Sequence, residues 1–264
     1  MALQPPKIQL SGGGQSEAAK NAFLILPKVT SVLSLIGSSI LLKEMMKRRG
    51  TRNYSPRHRL LAGMSVCDLM ASASMFLTTW PIPKDYLGPT QWNVGNQATC
   101  TAQGFFSQMA LGTNAYNCCL AINYLLSIRQ GWSDEKISKR AEPIMHIVSF
   151  GFALGTGVLG LGLTLFNPLG VQCWIATSPR GCIQSYKDRE LELPTNPNPC
   201  QRGDNAYIYQ MALVYCPLWL SFLIMTTSLV LIYCRIRNRN LAAARYRRGR
   251  KQIQRRFATK ATLY

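Results

Sequence analysis

Apolar residues along this chain come in long, nearly unbroken blocks, not in the three-and-four spacing of a soluble helix with one wet face. Measured against the ~20 residues needed to cross a bilayer, residues 22–42, 60–80, 101–128, 143–165 and 206–233 each read as a membrane-spanning helix. The first is flawed near one end by Pro27 and Lys28, where a lysine can snorkel to the headgroups. The second carries one acid, Asp68, and the third is the most polar, with Asn114, Asn117 and Asn123. The fourth is rich in glycine, and the fifth contains Pro217. The expected fold is therefore all-α, a polytopic transmembrane helix bundle. Around it lie a polar tail (1–21), a long loop (166–205) and a basic tail (234–264). The N-terminal tail has no apolar core of a cleavable signal peptide, so the first span is expected to direct insertion itself. No repeat period of a solenoid or propeller is visible.

Charge adds an orientation. Of 264 residues, 47% are hydrophobic and only 16% charged, against about 25% charged in an ordinary soluble domain. The mean hydropathy of +0.01 hides this, because it averages apolar blocks against basic connections. Such blocks exclude disorder, and nine cysteines are too few for a disulfide-dense mini-protein. The 30 Lys and Arg outnumber 11 Asp and Glu, a net +19. Twenty-two of the basic residues fall in 43–59, 129–140 and 235–264, and eight in 1–28, 81–99 and 166–207. The positive-inside rule then puts the N-terminus outside and the C-terminal tail in the cytoplasm; an integral protein, of the plasma membrane, is expected. The sequon Asn53-Tyr54-Ser55 falls on the cytoplasmic side and is expected to stay unmodified.

Cysteine placement agrees with that topology. Cys100, Cys173, Cys182 and Cys200 all fall on the oxidising face, enough for two disulfides. Four cysteines allow three pairings. We favour Cys100–Cys173, tying the third span to the loop, with Cys182–Cys200 closing the loop locally. Cys67, Cys118, Cys119, Cys216 and Cys234 fall in or beside spans and read as small apolar residues. Asp68 is the one carboxylate inside a span, about 13 Å deep at 1.5 Å per residue. A buried acid there must find partners, with asparagines or serines of neighbouring spans the expected ones. It is either a switch that changes partners between states or a permanently bonded packing residue. Asn114 and Asn117 share one helical face, a polar seam suited to inter-helix bonding or to a ligand at the outer end. Gly151 and Gly155 have the GxxxG spacing of close helix packing.

The tail from Arg235 to Tyr264 holds eleven basic residues and no acid, among them Arg235, Arg237, Arg239, Arg247 and Arg248. It suits retention at anionic lipid or docking of an acidic partner; nucleic acid fits the charge but not the attachment to spans. No GxSxG, HExxH or P-loop appears, and His58 and His146 lack a nucleophile–acid arrangement. Neither an enzyme, a metal nor a cofactor is expected.

Several segments look familiar in order. Met64-Ser65-Val66-Cys67-Asp68-Leu69, Cys100-Thr101-Ala102-Gln103-Gly104-Phe105-Phe106, Cys173-Trp174 and Tyr124-Leu125-Leu126-Ser127-Ile128-Arg129 followed by Gly131-Trp132-Ser133 resemble the G protein–coupled receptors of the cyclic-AMP-receptor-like and secretin-like (family 2) groups. The Asp-Arg-Tyr tripeptide of rhodopsin-like receptors is absent. The resemblance covers about residues 22–264 and implies five spans of a seven-helix receptor architecture. Residues 255–264 resemble the start of a sixth helix, so a partial or truncated receptor is expected. It further implies an extracellular ligand at the outer half and a heterotrimeric G protein at the inner surface. Arg129, Lys136, Lys139, Arg140 and the tail from Arg235 are the candidates for that surface, and Asp68 for a state-dependent contact. Without helices six and seven, neither ligand pocket nor inner cavity is complete. An interaction protein that associates with intact receptors is therefore the second reading, and a small transporter or channel the third. The absence of repeated halves and of a second intramembrane charge disfavours the third.

Overall fold

The structure is a computed structural model and describes residues 17–51, 54–86, 90–178 and 201–261, with the side chains of 17–20, 23 and 248–261 excepted. Its helices are α1 (Glu17–Arg48), α2 (Pro56–Leu77), α3 (Gln97–Ser107), α4 (Ala110–Ile128), α5 (Asp134–Arg140), α6 (Glu142–Gly162), α7 (Ala206–Gln210) and α8 (Cys216–Ala261). A hairpin of β1 (Phe166–Pro168) and β2 (Cys173–Ile175) pairs antiparallel, Phe166 opposite Ile175 and Pro168 opposite Cys173. Among the described residues, Leu24–Arg48, Pro56–Leu77, Glu142–Gly162 and Ala206–Arg247 are long and apolar enough to cross a membrane. The fold is an all-α membrane helix bundle. Its outer face carries large apolar side chains in the open, such as Ile147 at 71% and Trp219 at 65% exposure. An apolar surface of that extent is at home in lipid and not in water.

The segment expected as one span over 101–128 is two stacked helices. At Gln108–Met109 both residues keep right-handed dihedrals, but the hydrogen bonds tighten. Leu111 N–H donates to Gln108 O at 3.1 Å and Gly112 N–H to Met109 O at 2.9 Å, the three-residue pattern of a tighter helix. Apolar periodicity cannot register this, because both halves remain helical. The fifth span is also irregular. Pro217 has no N–H to give the preceding turn, and Met211–Tyr215 widens into a π turn, Cys216 N–H donating to Met211 O. α8 then runs on for 46 residues. At 1.5 Å per residue that is about 69 Å, more than twice the ~30 Å hydrocarbon core.

Local chemistry marks the helix starts. Asn96 caps α3 by accepting from Thr99 N–H at 3.0 Å, while Thr99 Oγ1 accepts from Asn96 N–H at 2.9 Å, a reciprocal box that satisfies two orphan donors. Ser133 caps α5, whose first turn holds Asp134 and Glu135 and whose last holds Lys139 and Arg140, the order the helix dipole favours. α6 packs through Met145, Ser149, Ala153, Gly157 and Gly160. This corrects the GxxxG reading: Gly151 and Gly155 are exposed, and a Cβ at either would meet nothing. The small-residue stripe is real but lies on the neighbouring face. The Cys100–Cys173 disulfide marks one end of the bundle. The other holds Arg48, Arg59, Arg129, α5 and the protruding part of α8, and is the basic end.

Candidate functional site

At the disulfide end, the hairpin is strapped across the bundle. Cys100, near the start of α3, is bonded to Cys173 of β2, and both are fully buried beside Ile82. Gln103, one turn along α3, is 3% exposed and joins three elements. Its Nε2 donates to Ser74 O at 3.1 Å and Thr78 O at 2.7 Å, and its Oε1 accepts from Cys173 N–H at 2.9 Å. Carbonyls at the end of α2, which no helical turn follows, are thereby satisfied. Trp174 Nε1 donates to Gln108 Oε1 at 2.7 Å, and Gln210 Nε2 donates to Ile175 O at 2.7 Å, tying the hairpin to the α3–α4 junction and α7. Lys28 also serves this end. It does not merely reach for headgroups: its Nζ donates to Phe76 O at 3.2 Å and sits 3.8 Å from the Trp80 ring centroid. An ammonium at a helix C-terminus and over an indole is doubly favoured. Cys182 and Cys200, and any bond between them, lie outside the described residues.

In the middle of the bundle, Asp68 is half-buried on α2 and faces α1. Its Oδ2 accepts from Ser34 Oγ at 2.7 Å and from Ser38 Oγ. Four residues apart, the two serines present their hydroxyls from one face of α1. Asn114 of α4 donates from Nδ2 to Ser221 Oγ on α8 at 2.6 Å. Asn117 is exposed and has no hydrogen bond among the described residues, and Tyr124 on the same helix is also exposed. Asp68, Asn114 and Asn117 are thus not one bonded cluster: the acid serves the α1–α2 contact and Asn114 the α4–α8 contact. Asn123 is buried, with its Nδ2 unpartnered among the described residues.

Among the described residues, the basic end has one organised node. Arg59 of α2 donates from Nε to Glu142 Oε1 and from one terminal nitrogen to Glu142 Oε2 at 2.6 Å. It also donates to Ser138 Oγ at 2.8 Å and Tyr54 O at 3.2 Å. Such a two-pronged arginine–carboxylate pair is the strong, directional kind. From Glu142 the polar path continues to His146 Nε2 at 3.7 Å, and His146 Nδ1 lies 2.9 Å from Tyr116 OH, which is buried on α4 against Gly63. None of the described basic residues expected at this surface bonds to the node, and most are unengaged. Arg129, Arg140, Arg235, Arg237, Arg239 and Arg247 are exposed. Lys136 Nζ stacks 4.0 Å from the Trp132 ring centroid, and Lys139 pairs with Glu135 at 2.7 Å. Arg248 continues α8, its side chain outside those described.

Sequence reasoning missed Arg59–Glu142, Tyr116–His146 and the buried amides of Gln103 and Gln108. The available signal was one of type: a glutamine or an acid within an apolar block has to be satisfied. Its partner is 25 to 83 residues away and cannot be read locally. Among the described residues, no cluster of His, Cys, Asp or Glu could hold a metal.

The sequence matches no known family model and no curated protein. Among solved structures, the crystal structure of squid rhodopsin is similar, with a TM-score of 0.56 over 90% of this chain at 12% identity. What the two share is the fold. The chain spans 58% of the length of that rhodopsin chain.

Proposed function

We propose that this chain supplies the first five helices of a G protein–coupled receptor-like bundle of the cyclic-AMP-receptor-like or secretin-like type. It sits in the plasma membrane with the disulfide end outside. The observation that carries the reading is the Cys100–Cys173 strap, which pins a hairpin over the bundle through Gln103 and Trp174 within a rhodopsin-like arrangement of helices. The segments that resemble that receptor group in sequence supply these same residues. The basic end, with Arg129, α5 and the extension of α8, is the surface for a heterotrimeric G protein. Asp68, bonded to two hydroxyls that can rotate, is the internal contact that differs between states.

A second reading is favoured by Asn117, exposed in the middle of α4, and Tyr124, exposed in its last turns. Polar side chains inside a bilayer seek partners on another helix, so the chain associates with an intact receptor and does not signal alone. One experiment separates the two. The full chain is placed in nanodiscs with a heterotrimeric G protein, with and without a polypeptide carrying the last two helices of an intact receptor, and nucleotide exchange is followed. The receptor reading predicts exchange that rises severalfold with the added helices and falls when Arg235, Arg237 and Arg239 are changed to Gln. Co-purification with an intact receptor without any exchange would replace it with the second reading.

A further inference from the structure

We propose that a groove between α3 and α6 at the disulfide end binds a phospholipid of the surrounding bilayer, its phosphate on Arg202 and an acyl chain along Ala98, Ala102 and Phe106. The inference rests on membrane embedding alone and not on the receptor reading. The groove has a volume of about 540 Å³ and is walled by Ala98, Ala102, Phe105, Phe106, Leu161 and Arg202. Ala98, Ala102, Phe106 and Leu161 are exposed, so it opens on the face that meets lipid. Its cause is Phe166. That ring is wedged between the two helices so tightly that a Cβ at Gly104 would come within 2.6 Å of it and one at Gly160 within 2.5 Å. Gln97 Nε2 holds the wedge by donating to Phe166 O at 3.2 Å. The helix ends stay apart, and the apolar cleft beside the wedge remains open.

Arg202 is set at the rim by a dedicated scaffold. Its Nε donates to Asn167 Oδ1 at 3.0 Å, while Asn167 Nδ2 donates to Thr164 O and Ala176 O at 2.9 and 2.8 Å. The backbone is fixed by Ser178 N–H donating to Arg202 O at 3.0 Å. Gly203 follows in a left-handed turn where any Cβ would strike Ala176 O. No carboxylate pairs with Arg202 among the described residues, and a guanidinium held by Nε presents its terminal nitrogens in the fork that suits a phosphate. The depth is right as well. α3 begins at Gln97 and α6 ends at Gly162, so the arginine stands at headgroup level. Phe106 lies about 13 Å deeper along α3 at 1.5 Å per residue. A cation at the interface above an apolar cleft between helices is the chemistry of a bound lipid headgroup and chain.

The test uses the full chain in phosphatidylcholine nanodiscs doped with a phosphatidylcholine that carries a photoactivatable diazirine on one acyl chain. The expected label maps to peptides containing Ala98–Phe106 and Leu161, and falls at least fivefold in both Arg202→Gln and Ala102→Phe. Position 102 is exposed, so the phenylalanine fills the groove without disturbing the core, and it decides the matter if the arginine variant fails to fold. Label spread evenly over the lipid-facing sides of α1, α6 and α8, or unchanged in both variants, overturns the proposal. A parallel arm with diazirine-bearing oleate separates the sources. If oleate labels the groove and phosphatidylcholine does not, the bilayer phospholipid is the wrong ligand.

Discussion

The two ends of the bundle are held by opposite means. At the disulfide end, a covalent strap, four glutamines and a lysine converge on backbone groups and two indoles. At the basic end, one ion-pair node ties α2, α5 and α6 together, and the remaining cations stand in the open. Backbone groups cannot be repositioned without moving a helix, whereas side-chain ion pairs can exchange partners. The first end is therefore built to hold its shape, and the second can exchange its contacts, a division that the receptor proposed above would use.

Cutting the strap should cost the disulfide end most. Cys173→Ser releases a link spanning 73 residues, and the expected loss is about 4 kcal/mol, or roughly 10 °C in the midpoint of thermal unfolding in detergent. A midpoint within 2–3 °C of wild type would mean that the glutamine contacts alone hold the hairpin. At the opposite end, Arg59→Met strands a Glu142 side chain that is only 8% exposed, at a cost of about 3 kcal/mol. The double variant with Glu142→Leu should recover most of that, and equal losses in single and double variants would show that the pair is not the node. Gly160→Ala drives a methyl against Phe166 and is expected to cost about 1–3 kcal/mol, whereas Gly155→Ala, which meets nothing, should be neutral in the same melt. Among the variants that remove a contact, the smallest loss belongs to Asp68→Asn, because an amide oxygen still accepts from the serines; about 1 kcal/mol is expected. A large change in signalling with so small a change in stability would mark Asp68 as a switch and not as packing.

Much of this architecture was legible because a bilayer imposes it. Any block of twenty apolar residues must become a helix, since its backbone has no water to bond. Asp68 had to find a hydroxyl or amide partner, and the serine class was foreseeable, though the choice of Ser34 and Ser38 depends on how α1 is rotated. The break at Gln108–Met109 was hidden because a tightened turn keeps the apolar period. The true small-residue stripe, Ser149–Ala153–Gly157, was passed over in favour of Gly151–Gly155 because spacing alone does not say which face meets a neighbour. Lys28 looked like a surface lysine until α2 ended beside it. The Arg59–Glu142 node joins segments 83 residues apart, and only tertiary structure brings them together.

The opposition of the two ends is tested most directly by asking which side of the membrane each one faces. A cysteine is placed at Trp92, exposed at the disulfide end, or at Tyr246, exposed on the extension of α8, in a background with Cys182, Cys200, Cys216 and Cys234 changed to Ser, which by itself must not label. Intact cells are then treated with a membrane-impermeant maleimide. The account predicts labelling of Trp92→Cys from outside, and of Tyr246→Cys only after permeabilisation. Labelling of Tyr246→Cys in intact cells would contradict it.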